Sequence, residues 1–318
     1  LIAGVAVGFI LYRQHSINEQ NQQIAINLVD TLAAGSLSQA LQTIDRMSVY
    51  RTWADRELLN RYASAEDGTP EKYRLGMGLL ETNSAPLDYL RDHSLILDVR
   101  EVAAVSEVLQ PFSSQLASYY AAAVENESLP IAQRFIATCF LVNVSPEDPL
   151  WSQESLSEFI TEQILSVNPT DIEPSKQLFH PKRELLIEQL MLAYGDESQS
   201  DIHRLFAKSY LLDYSQNSPE ELFEALTLSP PEHFPDFFEA LSSFRDLAIP
   251  MGLDNLVVKL PVSESDVMVI RRQANIGLML IKLGQQDSVW PVLQSSPNPS
   301  VRTHLIHWMP KQDVSPEL

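Results

Sequence analysis

His304 and His307 stand three residues apart, a spacing that puts two imidazoles on one helix face, as a metal site requires. No Glu lies between them, and a third ligand would have to arrive from His180, His203 or His233. Two helix histidines flanking the apolar pair Leu305 and Ile306 is the simpler reading. Phe244-Arg245-Asp246-Leu247 matches a kinase catalytic loop with Phe in place of His. However, the position five beyond Asp246 is Met251 where that chemistry needs Asn, and no Asp-Phe-Gly follows. Gly76-Met77-Gly78 lacks the third glycine of a phosphate loop, and no Gly-x-Ser-x-Gly elbow presents a serine nucleophile. Cys139 is the single cysteine, which excludes an internal disulfide and a thiolate metal cluster. Its neighbours Thr138, Phe140 and Leu141 point to a buried, inert thiol. The chain is therefore expected to hold no catalytic residue, no cofactor and no metal. A metal-assisted hydrolase using the scattered histidines and carboxylates is kept as an alternative.

Acidic side chains outnumber basic ones 42 to 22, a net charge of −20. The excess is concentrated in residues 101–200, which hold four basic and fifteen acidic side chains. Phosphate backbones are bound by Lys and Arg that displace counterions, so nucleic acid is not expected as a partner. The same field suits a basic partner or a cation, but a solvated acidic face that keeps the protein soluble is the simpler reading. No small-molecule ligand is evident.

What organises the chain is a repeated phrase, Arg-x-x-Ala-x-x-[aromatic or Gly]-Leu. It occurs at Arg134/Ala137/Phe140/Leu141, Arg204/Ala207/Tyr210/Leu211 and Arg271/Ala274/Gly277/Leu278, with a looser copy from Arg302 through Leu305, Trp308 and Met309. The first two starts lie 70 residues apart (204 − 134) and the next two 67 (271 − 204). Self-similarity at a nearly fixed period predicts stacked helical units, each burying its apolar face on its neighbour. One arginine per unit at the start of an inner helix can hydrogen-bond carbonyls or carboxylates of the adjacent unit, tying repeats together, so Arg134, Arg204, Arg271 and Arg302 are read as structural.

The elements between are short helices punctuated by proline, which lacks an amide donor and disfavours helix in the residue before it. Apolar residues recur at helical spacing over 103–124, 131–142, 156–167, 184–194, 202–212 and 220–226. Gly35-Ser36 predicts a stop and a restart with Ser36 as N-cap, and Asp67-Gly68-Thr69-Pro70 predicts a turn. The most basic stretch, 51–80, interleaves its cations with carboxylates and reads as salt-bridged helix surface. Residues 184–194, ELLIEQLMLAY, are apolar around much of a helix, which predicts cover on more than one side. Strand signals are few. Leu256-Val257-Val258 is the best of them and is too short to organise a sheet.

Leu1 to Tyr12, LIAGVAVGFILY, is uncharged and ends at Arg13. Twelve residues fall short of the ~20 that span a bilayer, and the stretch reads as the C-terminal part of a transmembrane helix. Arg13 is the only Lys or Arg before Arg46, whereas cytoplasmic flanks usually carry more, so residues 13–318 are expected to be extracytoplasmic.

At Asn298-Pro299-Ser300-Val301-Arg302-Thr303-His304-Leu305-Ile306 the chain resembles HEAT-type repeats, whose second helix often opens on a Pro-x-Val-Arg phrase. RFIATCFLV, ILSVNPTDIEPSKQL, IHRLFAKSYLLDYSQNSPEEL and SVRTHLIHWMP are similar to the helical region of planctomycete-type transmembrane serine/threonine kinases, which often also carry a formylglycine-generating domain. The resemblance implies an appendage to a kinase whose catalytic residues are not among these 318. The expected fold is all-α, a HEAT-like solenoid of stacked hairpins. Its parts are residues 1–12 (end of the membrane helix), 13–84 (juxtamembrane helical segment) and 85–318 (repeat region). The expected function is a non-catalytic scaffold or sensor that binds a protein, with a free-standing secreted binding protein as the other alternative. A binding role predicts that some of Trp53, Tyr119, Trp151, Phe237 and Trp290 lie at the surface.

Overall fold

The computed structural model describes the backbone of residues 2–257, 266–295, 298–312 and 314, with side chains from Tyr12 onward except Leu293 and Ser295. Among these residues the fold is all-α, with no strand. The helices are α1 (Ile2–Ala34), α2 (Leu37–Met47), α3 (Arg51–Ser64), α4 (Pro70–Leu79), α5 (Leu87–Ser94), α6 (Val99–Leu109), α7 (Ser113–Glu125), α8 (Ile131–Val144) and α9 (Glu154–Leu165). They continue with α10 (Ile172–Phe179), α11 (Arg183–Gly195), α12 (Asp201–Tyr214), α13 (Pro219–Leu228), α14 (Phe234–Ser242), α15 (Arg245–Asn255), α16 (Val267–Lys282), α17 (Gln286–Ser295) and α18 (Pro299–Trp308). Two compact units share them: Leu1–Ser152 with Glu173–Phe179, and Gln153–Ile172 with His180–Leu318. Residues 13–84 belong to the same compact unit as α5 to α8.

Helix α1 runs without a break past residue 12. Among the described residues no helix is long and apolar enough to cross a membrane. The expected membrane segment falls on Leu1 and on side chains 2–11, which lie outside the described residues.

The repeated phrase corresponds to a repeated hairpin. Helices α7 and α8 recur 70 residues on as α11 and α12 (183 − 113, 201 − 131), each pair preceded by a 3-10 turn with proline at its centre, Gln110–Phe112 and His180–Lys182. The connection repeats as well. Asn126 Oδ1 accepts the Ser128 amide at 3.0 Å, and Asp196 Oδ1 accepts the Ser198 amide at 2.8 Å, so one Asx turn reverses both chains. The last carbonyls of a helix have no partner within it. Arg134 Nε donates to Val124 O at 2.9 Å, and Arg204 Nε donates to Tyr194 O at 3.4 Å. The phrase therefore exists because the second helix of each hairpin caps the first. Its remaining positions, Ala137, Phe140 and Leu141 in one copy and Ala207, Tyr210 and Leu211 in the other, are buried.

Arginine meets the same need outside the phrase. Arg74 donates to Leu32 O and Ala33 O at the end of α1, Arg51 to Gly78 O at 2.6 Å, and Arg245 to Leu283 O at 2.7 Å. Arg245 belongs to the kinase-loop look-alike, and its work is to close the end of α16. The third copy departs from the pattern: Arg271 pairs with Glu197 in the α11–α12 turn and, among the described residues, caps no helix. In the same copy Gly277 replaces the aromatic residue because α18 passes close, and a Cβ there would meet Leu305 Cδ1 at 3.2 Å. Capping of α13 falls instead to the buried Asn275, whose Nδ2 reaches Leu226 O, Thr227 O and Ser229 O at 2.9–3.0 Å.

Two expectations are corrected. Residues 103–124 are not one helix, because Pro111 breaks them into α6 and α7. Helix α11 is not covered on several sides: it buries Leu186, Leu190 and Tyr194 and leaves Leu185 and Leu192 exposed. The all-round burial belongs to α8, where eight consecutive residues from Phe135 to Val142 are buried, and to α16 from Gln273 to Ile281.

Candidate functional site

The surplus apolar residues of α11 open onto a cleft of about 400 Å³ lined by Glu158, Thr161, Glu162, Leu165, Ser166, Gln189, Leu192, Ala193, Asp196, Gln199 and His203. Three pieces of the second unit build it. Helix α9 buries Leu156, Ile160, Ile164 and Leu165 on one side, so Glu158 and Glu162, one turn apart, stand together on the other. Helix α11 packs against α9 and α12, and its Leu192 is 62% exposed. The third piece is the Asx turn. There Asp196 accepts the Ser198 amide at 2.8 Å and the Ser198 hydroxyl at 2.9 Å, and these bonds hold its carboxyl below the usual carboxylate range. Opposite them His203 Nδ1 lies 3.2 Å from Gln199 Oε1.

Three carboxylates and no Lys or Arg line this cleft. Glu158 and Glu162 stand at i and i+4 with like charge, an arrangement that costs a helix ~0.2–0.5 kcal/mol. Thr161 between them is 5% exposed, and its hydroxyl has no hydrogen-bond partner. An acidic rim around an exposed leucine matches a ligand that is cationic and apolar at once.

The structure does not bring the sequence-predicted aromatics together. Trp151 and Phe237 are buried, which corrects their place among surface candidates. Trp151 Nε1 donates to Ser145 O at 2.9 Å, and Phe237 packs edge-on against Tyr194. Trp53, Tyr119 and Trp290 are half-buried. Trp53 donates to Asn18 Oδ1 at 2.8 Å, and Tyr119 lies under the Arg91 guanidinium, 4.9 Å from its ring centre. None of the five lines the cleft.

The histidines are also separate. His304 Nδ1 meets Ser300 O at 2.9 Å and the ring abuts Trp308, while His307 is exposed. His180 lies against Tyr214, and His233 stacks on Tyr194. Among the described residues no group of three His, Cys, Asp or Glu side chains is placed to hold a metal ion. Cys139 is fully buried, and burial pushes its thiol well above the ordinary range.

The sequence does not single out the cleft residues, because each has a bland local role. The legible signals are the like-charged Glu158/Glu162 pair and the apolar excess of 184–194, part of which lies open rather than buried. Comparison of the chain with protein-family models, with curated proteins and with solved structures finds no match.

Proposed function

We propose that the chain is a non-catalytic protein-interaction scaffold whose hairpins stack as a HEAT-like solenoid. Its binding site is the acidic cleft between α9 and α11, and its occupant is a basic amphipathic helix of a protein partner. The observation that supports this reading is the composition of the cleft: the exposed Leu192 offers apolar contact, and Glu158, Glu162 and Asp196 line the same cleft with no Lys or Arg among its lining residues. A helix carrying Leu at i and i+4 flanked by Lys satisfies both. The attachment to a membrane, the extracytoplasmic placement of residues 13–318 and the link to a serine/threonine kinase rest on the apolar start and on the resemblance given above.

The test is fluorescence anisotropy with a labelled Leu/Lys amphipathic peptide. Glu158→Gln with Glu162→Gln is compared with Glu125→Gln with Glu127→Gln, an exposed pair that changes the net charge equally. The cleft pair is expected to weaken binding about tenfold and the control pair less than about twofold. Equal effects would mean that the peptide senses only the overall charge, and the cleft would lose its role.

A further inference from the structure

Arg13, Arg46 and Arg56 are exposed, and among the described residues none of them has an ion-pair or hydrogen-bond partner. Their neighbours Arg51 and Arg61 are each held by two carboxylates, Asp55 and Glu81 on the first and Glu57 and Asp30 on the second. The three uncommitted arginines gather at one end of the first unit. Trp53 Nε1 donates to Asn18 Oδ1 at 2.8 Å, and farther along α1 the carboxylate of Asp30 pairs with Arg61. Positions 18 and 30 thus match 53 and 61 in the same order, so α1 and α3 run parallel. The 3-10 turn Ser48–Tyr50, which joins α2 to α3 and packs on α1, therefore lies toward the start of α1, with Arg46 just before it.

The same end carries open apolar surface. Val49 is 77% exposed, Tyr12 73% and Ile17 49%, and Trp53 is half-buried. Its acids are Glu19 beside His15, Asp55 and Glu81 on Arg51, and Asp45. These four carboxylates balance Arg13, Arg46, Arg51 and Arg56, so this end is neutral in a chain of net charge −20. An anionic surface is repelled by the rest of the chain and not here. The distances suit a bilayer surface. Helix α1 is continuous from Ile2, and residues 1–12 are uncharged. With Tyr12 at the edge of the hydrocarbon, Asn18 and the Trp53 ring bonded to it lie about 9 Å outside at 1.5 Å per residue. The headgroup layer is about 5–8 Å thick, so the Ser48–Tyr50 turn, which is nearer to Tyr12, meets it. Arg56 lies one turn farther on, and its long stem can carry the guanidinium back toward the α3 N-terminus.

We infer that this end of the first unit is a seat on an anionic phospholipid surface. Val49, Ile17 and Trp53 enter the headgroup layer, and Arg13, Arg46 and Arg56 meet lipid phosphates. The inference rests on the membrane attachment proposed above and adds to it the face that the folded unit turns to the bilayer.

The test places an environment-sensitive fluorophore on Ser48→Cys and, in a separate sample, on Ser64→Cys, an exposed site at the other end of α3. Cys139 is fully buried and does not compete for the label. Each full-length chain is mixed with vesicles of phosphatidylcholine and phosphatidylglycerol; flotation reports attachment, and emission reports seating. The chain is expected to float, with emission from position 48 shifted to the blue and emission from position 64 unchanged. Each arginine near an anionic surface favours contact by about fivefold, so Arg46→Gln with Arg56→Gln is expected to lower the ratio of seated to free ends at least that much while flotation persists. Flotation with position 48 as wet as position 64 would overturn the seat and leave the attachment standing, whereas no flotation would overturn both. An undiminished shift in the doubly substituted chain would also overturn the seat. So would a blue shift that grows with protein concentration in the absence of lipid, which would assign this face to a second copy of the chain.

Discussion

Replacing Arg134 and Arg204 by methionine separates the cap from the packing, because methionine retains an apolar stem where each guanidinium lay. At Arg134 the substitution removes a charge-assisted bond of 2.9 Å to Val124 O, in a half-buried position at the end of α7. Bonds to charged groups contribute about 1.5–3 kcal/mol, so Arg134→Met is expected to cost about 2 kcal/mol. At Arg204 the bond to Tyr194 O is 3.4 Å long, and Nη2 is buried with no hydrogen-bond partner. A weak bond is lost there and an unmet polar group is relieved, so Arg204→Met is expected to cost less than about 1 kcal/mol. For units on the order of 160 residues the larger loss corresponds to a fall of about 4–8 °C in melting temperature. Urea unfolding followed by far-ultraviolet circular dichroism, combined with hydrogen exchange over 113–144 and 183–214, assigns each loss to its hairpin. A cost at Arg204 equal to or above that at Arg134, or a negligible cost at both, would refute the capping argument.

Glu162→Gln alone relieves the repulsion with Glu158 and is expected to raise stability by ~0.2–0.5 kcal/mol while weakening basic-peptide binding; calorimetry and anisotropy on the same sample check both. Cys139 is expected to resist a thiol reagent in the native protein and to react fully in denaturant, as a colorimetric thiol titration would show. His233 has its pKa lowered by burial and then by Lys208, so the unfolded chain binds the proton more readily. Its contribution to stability is complete above the unfolded value of about 6.5 and is lost as pH falls through the lower folded value. His233→Gln is therefore expected to shrink the drop in melting temperature between about pH 7 and pH 5, and an unchanged drop would contradict it.

Much of the helical plan was legible because its signals are local. Ser36 is the N-cap expected from Gly35-Ser36, with its amide bonded to Gln39 Oε1 at 3.3 Å, and Thr69-Pro70 opens α4 after the left-handed Gly68. The basic stretch does carry ion pairs, Arg51 with Asp55 and Arg61 with Glu57 among them. The phrase predicts arginines that tie one unit to the next, whereas Arg134 and Arg204 bond to carbonyls of their own hairpin, ten residues back. Arg271 does reach a carboxylate of the preceding repeat, Glu197 in the α11–α12 turn; whether an arginine faces a helix end or a loop carboxylate depends on the neighbouring segment, which the phrase does not encode.

The sites were less legible for the same reason. Periodicity reports how many apolar residues a helix has, not which of them finds a neighbour, so Leu192 was indistinguishable from Leu190.

Hydrogen exchange of the chain with and without a saturating Leu/Lys amphipathic peptide tests the scaffold reading most directly. The cleft predicts slowed exchange confined to 158–166 and 189–203, with 113–144 unchanged although that hairpin has the same backbone plan. Protection spread evenly over the acidic helices, or none at 158–166 and 189–203, would contradict it.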